Sequence, residues 1–309
     1  MSDAAVLEVE GLEKRYKSFS LRVSFHLSPG EVLGVVGPNG AGKTTLIHCL
    51  LGIVKPDGGR VRFFGLDPDR HEVAIKQRVG FFLEDAPLFR QMRASDVLRF
   101  FASFYPRWDW SLAERMLQQF ELEVTKKVSE LSKGMRAKLG LVTAFSHRPE
   151  LVILDEPTAG LDPGMRREFV QLVRTMLRDF GPAILLTSHI MADVEDLADR
   201  VAFLQEGEIS LIESKTRLLQ SWRCIRGRCR DWLRLEPGEW VAIEQDQANG
   251  ELRLVTNSWN VALINQLREA GLTEPEVFPL SLEEIYSYVI RMRGRKSAAS
   301  PAMPLGGAS

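Results

Sequence analysis

Nine consecutive residues carry the most specific chemistry in the chain: Gly37, Pro38, Asn39, Gly40, Ala41, Gly42, Lys43, Thr44 and Thr45. They fit the pattern G-x-x-x-x-G-K-[ST]. Glycines let a backbone wrap an anion without Cβ clashes, so successive N–H groups can converge on phosphate oxygens. A helix that starts at the lysine adds its own free N–H groups and the positive end of its dipole. Lys43 then suits the β- and γ-phosphates, and the Thr44 hydroxyl suits a magnesium ion. A second constellation is Leu151-Val152-Ile153-Leu154-Asp155-Glu156, four apolar residues ending in two acids. A buried strand would deliver both carboxylates to its C-terminal edge, where ligands bind in α/β sheets. There Asp155 suits magnesium through a water, and Glu156 suits the polarisation of an attacking water. Alone, the pair is more simply a strand stopping at solvated acids. Beside a phosphate loop it reads as nucleotide chemistry.

Such groups need parallel strands to aim them. The short apolar runs Val32–Val36, 151–154 and 183–187 have the composition of strands buried on both faces. Each is followed by a turn and a helical pattern, which argues for an α/β domain with a largely parallel sheet. The helix after Leu161 has a clear start and stop: Asp162 caps it, Pro163 suits its first turn, and Gly181 ends it. Residues 85–148 have few strand signals and read as a helical insert. From 216 the pattern changes. Residues 233–235, 240–243 and 252–255 alternate apolar and polar residues as half-buried antiparallel strands do. Two helices follow, the last opening on a capping box, Ser281 with Glu284. Residues 216–292 therefore read as a small α+β domain, and 293–309 as a disordered tail.

At this point the residues resemble a known family. Over about residues 5–215 the chain resembles the ATP-binding subunit of ATP-binding cassette (ABC) transporters. Leu131-Ser132-Lys133-Gly134-Met135 resembles that family's LSGGQ signature, with Lys133 and Met135 departing from it. Ala159-Gly160-Leu161-Asp162 resembles its D-loop, Ser188-His189 its switch histidine, and Tyr16 the aromatic that stacks on adenine. The family usually has Gln after the strand over residues 79–83; this chain has Glu84. The resemblance implies a P-loop ATPase fold with an antiparallel β subdomain, and ATP and Mg²⁺ as cofactors. Glu84 is implied to ligate the metal beside Thr44 and Asp155. Two subunits are implied to dimerise head to tail, Ser132 and Gly134 of one binding the γ-phosphate held by the other, with Glu156, His189 and Lys43 as catalytic groups. The implied partners are transmembrane permease subunits, of the exporter type by Glu84, by residues 104–109 and by the ending Leu280–Tyr286. That places the chain on the cytoplasmic side of a membrane, held there by the permease.

Composition excludes other classes. Lys+Arg 40 against Asp+Glu 41 leaves a charge of -1, with no global basic field for nucleic acid. The rival reading, a soluble ABC-type ATPase acting on ribosomes or nucleic acid, calls for two cassettes or a coiled-coil insert, and neither is in this sequence. No apolar run is long enough to cross a bilayer, and the N-terminus does not read as a signal peptide. Cys49, Cys224 and Cys229 form neither a disulfide framework nor a zinc pattern. His26, His48, His71 and His147 join no chemical constellation. A basic cluster at Arg223, Arg226, Arg228, Arg230 and Arg234, with Trp222 and Trp232 between, reads as a solvated face, with anionic lipid headgroups as the alternative.

Overall fold

The computed structural model describes residues 5–83, 90–229, 241–246 and 251–298. The chain divides into two compact units between Ile212 and Glu213, three residues before the expected boundary. In the first unit, β1 (Leu7–Arg15) and β2 (Ser20–Leu27) form a hairpin, and β3 (Val32–Val36) leads into α1 (Lys43–Leu50). β4 (Gly58–Phe63), α2 (Pro68–Lys76) and β5 (Val79–Leu83) follow. The helical insert holds α3 (Ala94–Ala102), α4 (Trp110–Gln119) and α5 (Lys133–Phe145). Then come β6 (Leu151–Asp155), α6 (Pro163–Phe180), β7 (Ala183–Ser188), α7 (Met191–Leu197), β8 (Arg200–Gln205) and β9 (Glu208–Ser214).

These strands make one nine-stranded sheet in the order β4-β1-β2-β9-β8-β3-β7-β6-β5. β1 pairs antiparallel with β2 and β4, whereas β3, β5, β6, β7 and β8 pair in parallel. Every residue of β3, β6 and β7 is buried, as their uninterrupted apolar runs require. Register then does the positioning. Leu83 pairs with Asp155, Asp155 with Thr187, and Val36 with Ser188. The ends of four neighbouring strands therefore stop in line, and the segments that follow them meet at one sheet edge. The start of α6 is held as expected: Asp162 Oδ1 accepts from the N–H groups of Gly164 (2.9 Å) and Met165 (3.0 Å), and Gly181 closes the helix at φ 60°.

The second unit begins with α8 (Lys215–Ser221) and β10 (Arg223–Arg228), then β11 (Ala242–Asp246), β12 (Glu251–Thr256), α9 (Val261–Glu269), β13 (Thr273–Pro279) and α10 (Leu282–Ala298). Its antiparallel sheet runs β11-β12-β10-β13, with one face covered by Leu263 and Leu267 of α9. Three features differ from the sequence reading. The stretch from Arg223 to Arg228 is a central strand: Cys224 and Ile225 are buried while Arg226 and Arg228 point to solvent. A further strand, β13, separates the two helices; Pro275 and Pro279 are tolerated because it lies at the sheet edge. The last helix continues beyond 292 to Ala298, its final turns rich in Arg and Lys, which suit a helix C-terminus. Residues 233–235, Arg230, Trp232, Arg234 and 299–309 lie outside the described residues.

Candidate active site

The glycine-rich loop leaves the end of β3 and enters α1. Gly40 and Gly42 take φ of 82° and 109°, conformations that cost other residues strain. Gly37 is needed for a different reason. A Cβ there would lie 2.2 Å from the Leu204 carbonyl oxygen of β8, so the first glycine is dictated by the sheet beneath the loop. The Ala41 N–H closes a turn onto the Pro38 carbonyl (3.1 Å), and the Ala41 carbonyl accepts from Gly207 (3.0 Å). Asn39 and Gly40 are exposed at the rim, as is Thr44 at the first turn of α1; Thr45 is half-buried behind it.

Lys43 is buried. Its Nζ donates to the carbonyls of Gly37 (2.6 Å) and Pro38 (3.0 Å) and lies 3.1 Å from Glu156 Oε1. The other carboxylate oxygen of Glu156 accepts from the backbone N–H of His189 (3.1 Å) and lies 2.7 Å from His189 Nδ1, which donates to it. Glu156 follows β6 with φ 46°, left-handed backbone in a non-glycine residue, which turns its carboxylate toward the loop. Asp155 ends the same strand and accepts a 2.5 Å hydrogen bond at Oδ1 from Thr187 Oγ1. Burial pushes the Asp155 carboxyl up, against the Thr187 hydrogen bond, and the neighbouring Glu156 charge pushes it further. A cation beside it would reverse that direction.

Tyr16 lies at the tip of the β1–β2 hairpin, half exposed, 6.5 Å centroid to centroid from Phe19 and nearly parallel to it. Phe19 in turn abuts the loop: its Cζ is 2.7 Å from where a Cβ on Gly42 would stand. Sequence reading missed Phe19, because only the hairpin brings it under the loop. The signature segment packs elsewhere. Ser132 caps α5, its Oγ accepting from Met135 N–H (3.1 Å). Gly134 lets Met165 approach so closely that a Cβ would stand 1.8 Å from its methyl carbon, and the Lys133 ammonium lies over Gly160. Gly134 is thus joined to α6 and Lys133 to the loop that precedes it, while Lys43, Glu156 and His189 are joined to one another. Glu84 lies outside the described residues.

Residues 21–159 match the ABC transporter family model. The ATP-binding protein YtrB of Bacillus subtilis is 30% identical over 88% of this chain and 85% of its own length. The Nod factor export ATP-binding protein I of Burkholderia pseudomallei is 36% identical over 70% of this chain and 72% of its own. A solved ATP-binding subunit of an ABC transporter superposes with a TM-score of 0.63 at 27% identity, covering 70% of this chain and 92% of that one. The chain is therefore a member of the ABC transporter ATP-binding proteins.

Proposed function

We propose that two cassettes, each a copy of this chain or of a paralogue, close head to tail around two ATP molecules and drive export through a separate membrane permease. One observation carries the dimer reading. Among the described residues, Ser132 caps its own helix and Gly134 meets Met165 of α6, whereas Lys43, Glu156 and His189 meet one another. A helix N-terminus is an anion site, so a second subunit would supply the γ-phosphate contact. Within one centre, Glu156 takes the proton of the attacking water as oxygen bonds to the γ-phosphorus and the β–γ bridge breaks. His189 holds the Glu156 carboxylate through two hydrogen bonds. Lys43 bridges Glu156 and the loop carbonyls; triphosphate competes for that ammonium and releases Glu156 Oε1 for the water.

The residues present suit magnesium: one threonine hydroxyl, Thr44, and one carboxylate, Asp155, fit an ion that keeps waters and takes phosphate oxygens as ligands. Among the described residues no cluster of three His, Cys, Asp or Glu side chains forms an all-protein metal cage. When bound, the ion would neutralise charge developing on the phosphates. On this reading membrane attachment comes from the permease; no described helix is long and apolar enough to span a bilayer. Export is favoured by the likeness to the Nod factor export ATP-binding protein I of Burkholderia pseudomallei. An open groove of about 1320 Å³ in the first unit, lined by Leu51, Val54 and Phe81 together with Arg60, Arg62 and Asp67, gives a permease segment a seat of mixed apolar and charged character.

Complementation tests the composite site. Lys43→Ala and Ser132→Asp chains should each lose ATPase activity. Mixed, they should regain part of it, because one of the two sites in the mixed dimer keeps both intact halves. No recovery on mixing, with mixed dimers demonstrated by crosslinking, would refute the shared site.

A further inference from the structure

Asp193 is fully buried and touches none of the groups that meet nucleotide. A buried carboxylate is costly unless its oxygens are satisfied. Here they are satisfied by three separate segments. Arg166 Nε of α6 donates to Oδ1 at 2.5 Å, and Ser188 Oγ donates to Oδ2 at 3.2 Å. Thr158 Oγ1 also donates to Oδ2. Two of these donors flank the chemistry. Thr158 stands two residues after Glu156, and Ser188 immediately precedes His189. Because His189 N–H and Nδ1 both donate to Glu156, the contacts close a ring: Asp193, Ser188, His189, Glu156, Pro157, Thr158 and back to Asp193. Ser188 is itself fixed, its Oγ accepting from Ile190 N–H at 2.9 Å.

We infer that Asp193 is a positioning residue for ATP hydrolysis, clamping the segment that carries Glu156 to the segment that carries His189. The inference rests on Glu156 acting as the base. The Asp193 charge is balanced by Arg166, which is anchored on α6 four residues after the Asp162 cap. The loss of Asp193 leaves Lys43 and the glycine loop in place but frees the two segments to shift. A misplacement of about 1 Å costs roughly a hundredfold in rate.

The test is a double-mutant cycle on the full-length chain, read by single-turnover phosphate release and by stoichiometric binding of a fluorescent ATP analogue. Asp193→Ala should lower the rate by about ten- to a hundredfold with analogue binding within about threefold of wild type. In a Glu156→Gln background the same change should cost less than about twofold, because the group it positions is already gone. An equal loss in both backgrounds would overturn the inference, since a merely structural defect reduces both alike. Where Asp193→Ala does not fold, Thr158→Val cuts the ring while keeping the Arg166 pair and is put through the same cycle. A Glu156→Gln single variant that turns over normally refutes the base assignment instead, and the two failures are thereby told apart.

Discussion

Glu156→Gln is the most discriminating single change, because the proposed function gives Glu156 two jobs with opposite consequences. As a base it contributes about 10²- to 10⁴-fold in rate, or roughly 3 to 5 kcal/mol at 1.36 kcal/mol per decade. As the partner of a buried lysine it also competes with the substrate. Lys43 and Glu156 expose 5% and 9% of their side chains, with Nζ 3.1 Å from Oε1. Removing one member of such a pair costs up to about 3 to 5 kcal/mol. Glutamine keeps an oxygen acceptor, and Lys43 keeps the carbonyls of Gly37 and Pro38, so the loss in the nucleotide-free protein should fall below that range. Triphosphate no longer has to draw the ammonium from a carboxylate. The variant should therefore bind ATP at least as tightly as wild type, melt lower without ATP, and recover a larger share of its thermal stability when ATP is added. It should hydrolyse at least about a hundredfold more slowly. Phosphate-release kinetics, nucleotide titration and thermal melts with and without ATP read all of this. Turnover within about threefold of wild type, or weakened ATP binding, would refute the two-job account.

Three further outcomes follow from the same geometry. Gly37→Ala should destabilise the protein by about 1 to 3 kcal/mol even without nucleotide, because the new Cβ meets the Leu204 carbonyl at 2.2 Å; an unchanged melting curve without ATP would contradict this. Gly134→Ala meets only the flexible end of Met165, so its stability cost should stay below about 1 kcal/mol while ATPase activity falls by more than its folded fraction explains; a proportionate loss of both would argue against a functional role for that contact. Burial holds the His147 imidazole down to about 4 from the usual 6.5. The unfolded chain therefore takes up that proton first, and stability of order 3 kcal/mol is present above about 6.5 and lost as pH falls toward about 4. Urea unfolding at several pH values should give a shallower slope in that window for His147→Gln than for wild type.

The parts of the site that sequence made legible are those built by local rules. The glycine loop is contiguous, β6 is a continuous apolar run ending in two acids, and α6 carries its own cap, proline and terminal glycine. Non-local facts were hidden. Lys43 and Glu156 are more than a hundred residues apart, and only the register of β3, β7 and β6 brings them together. Asp193 looks in sequence like one of several acids on a short polar helix; its burial is set by α6 and β7 packing around it. In the second unit, β13 carries Pro275 and Pro279, which disfavour a strand interior, and the place at the sheet edge accommodates them. The arginines of β10 masked its alternation, since a central strand of a sheet open on one face can carry charge on that face.

The departures from the family signature acquire a physical sense through these contacts. Lys133 takes a position where the family pattern has glycine, and its ammonium lies over Gly160, whose φ of 67° and missing Cβ leave room for it. Gly134, one residue on, admits Met165 of α6, and the next residue of α6 is Arg166, the ion partner of Asp193. Contacts therefore run without interruption from the cap of α5 at Ser132, across the start of α6, to Asp193 and the segments holding Glu156 and His189. The links are packed side chains, hydrogen bonds and the peptide bonds between adjacent residues, all within one chain, which is the kind of contiguous network that can carry coupling between sites. In the proposed dimer, a phosphate engaged at Ser132 in one centre would thus press on the residues that position Glu156 in the other, a route by which hydrolysis at the two sites can be coordinated.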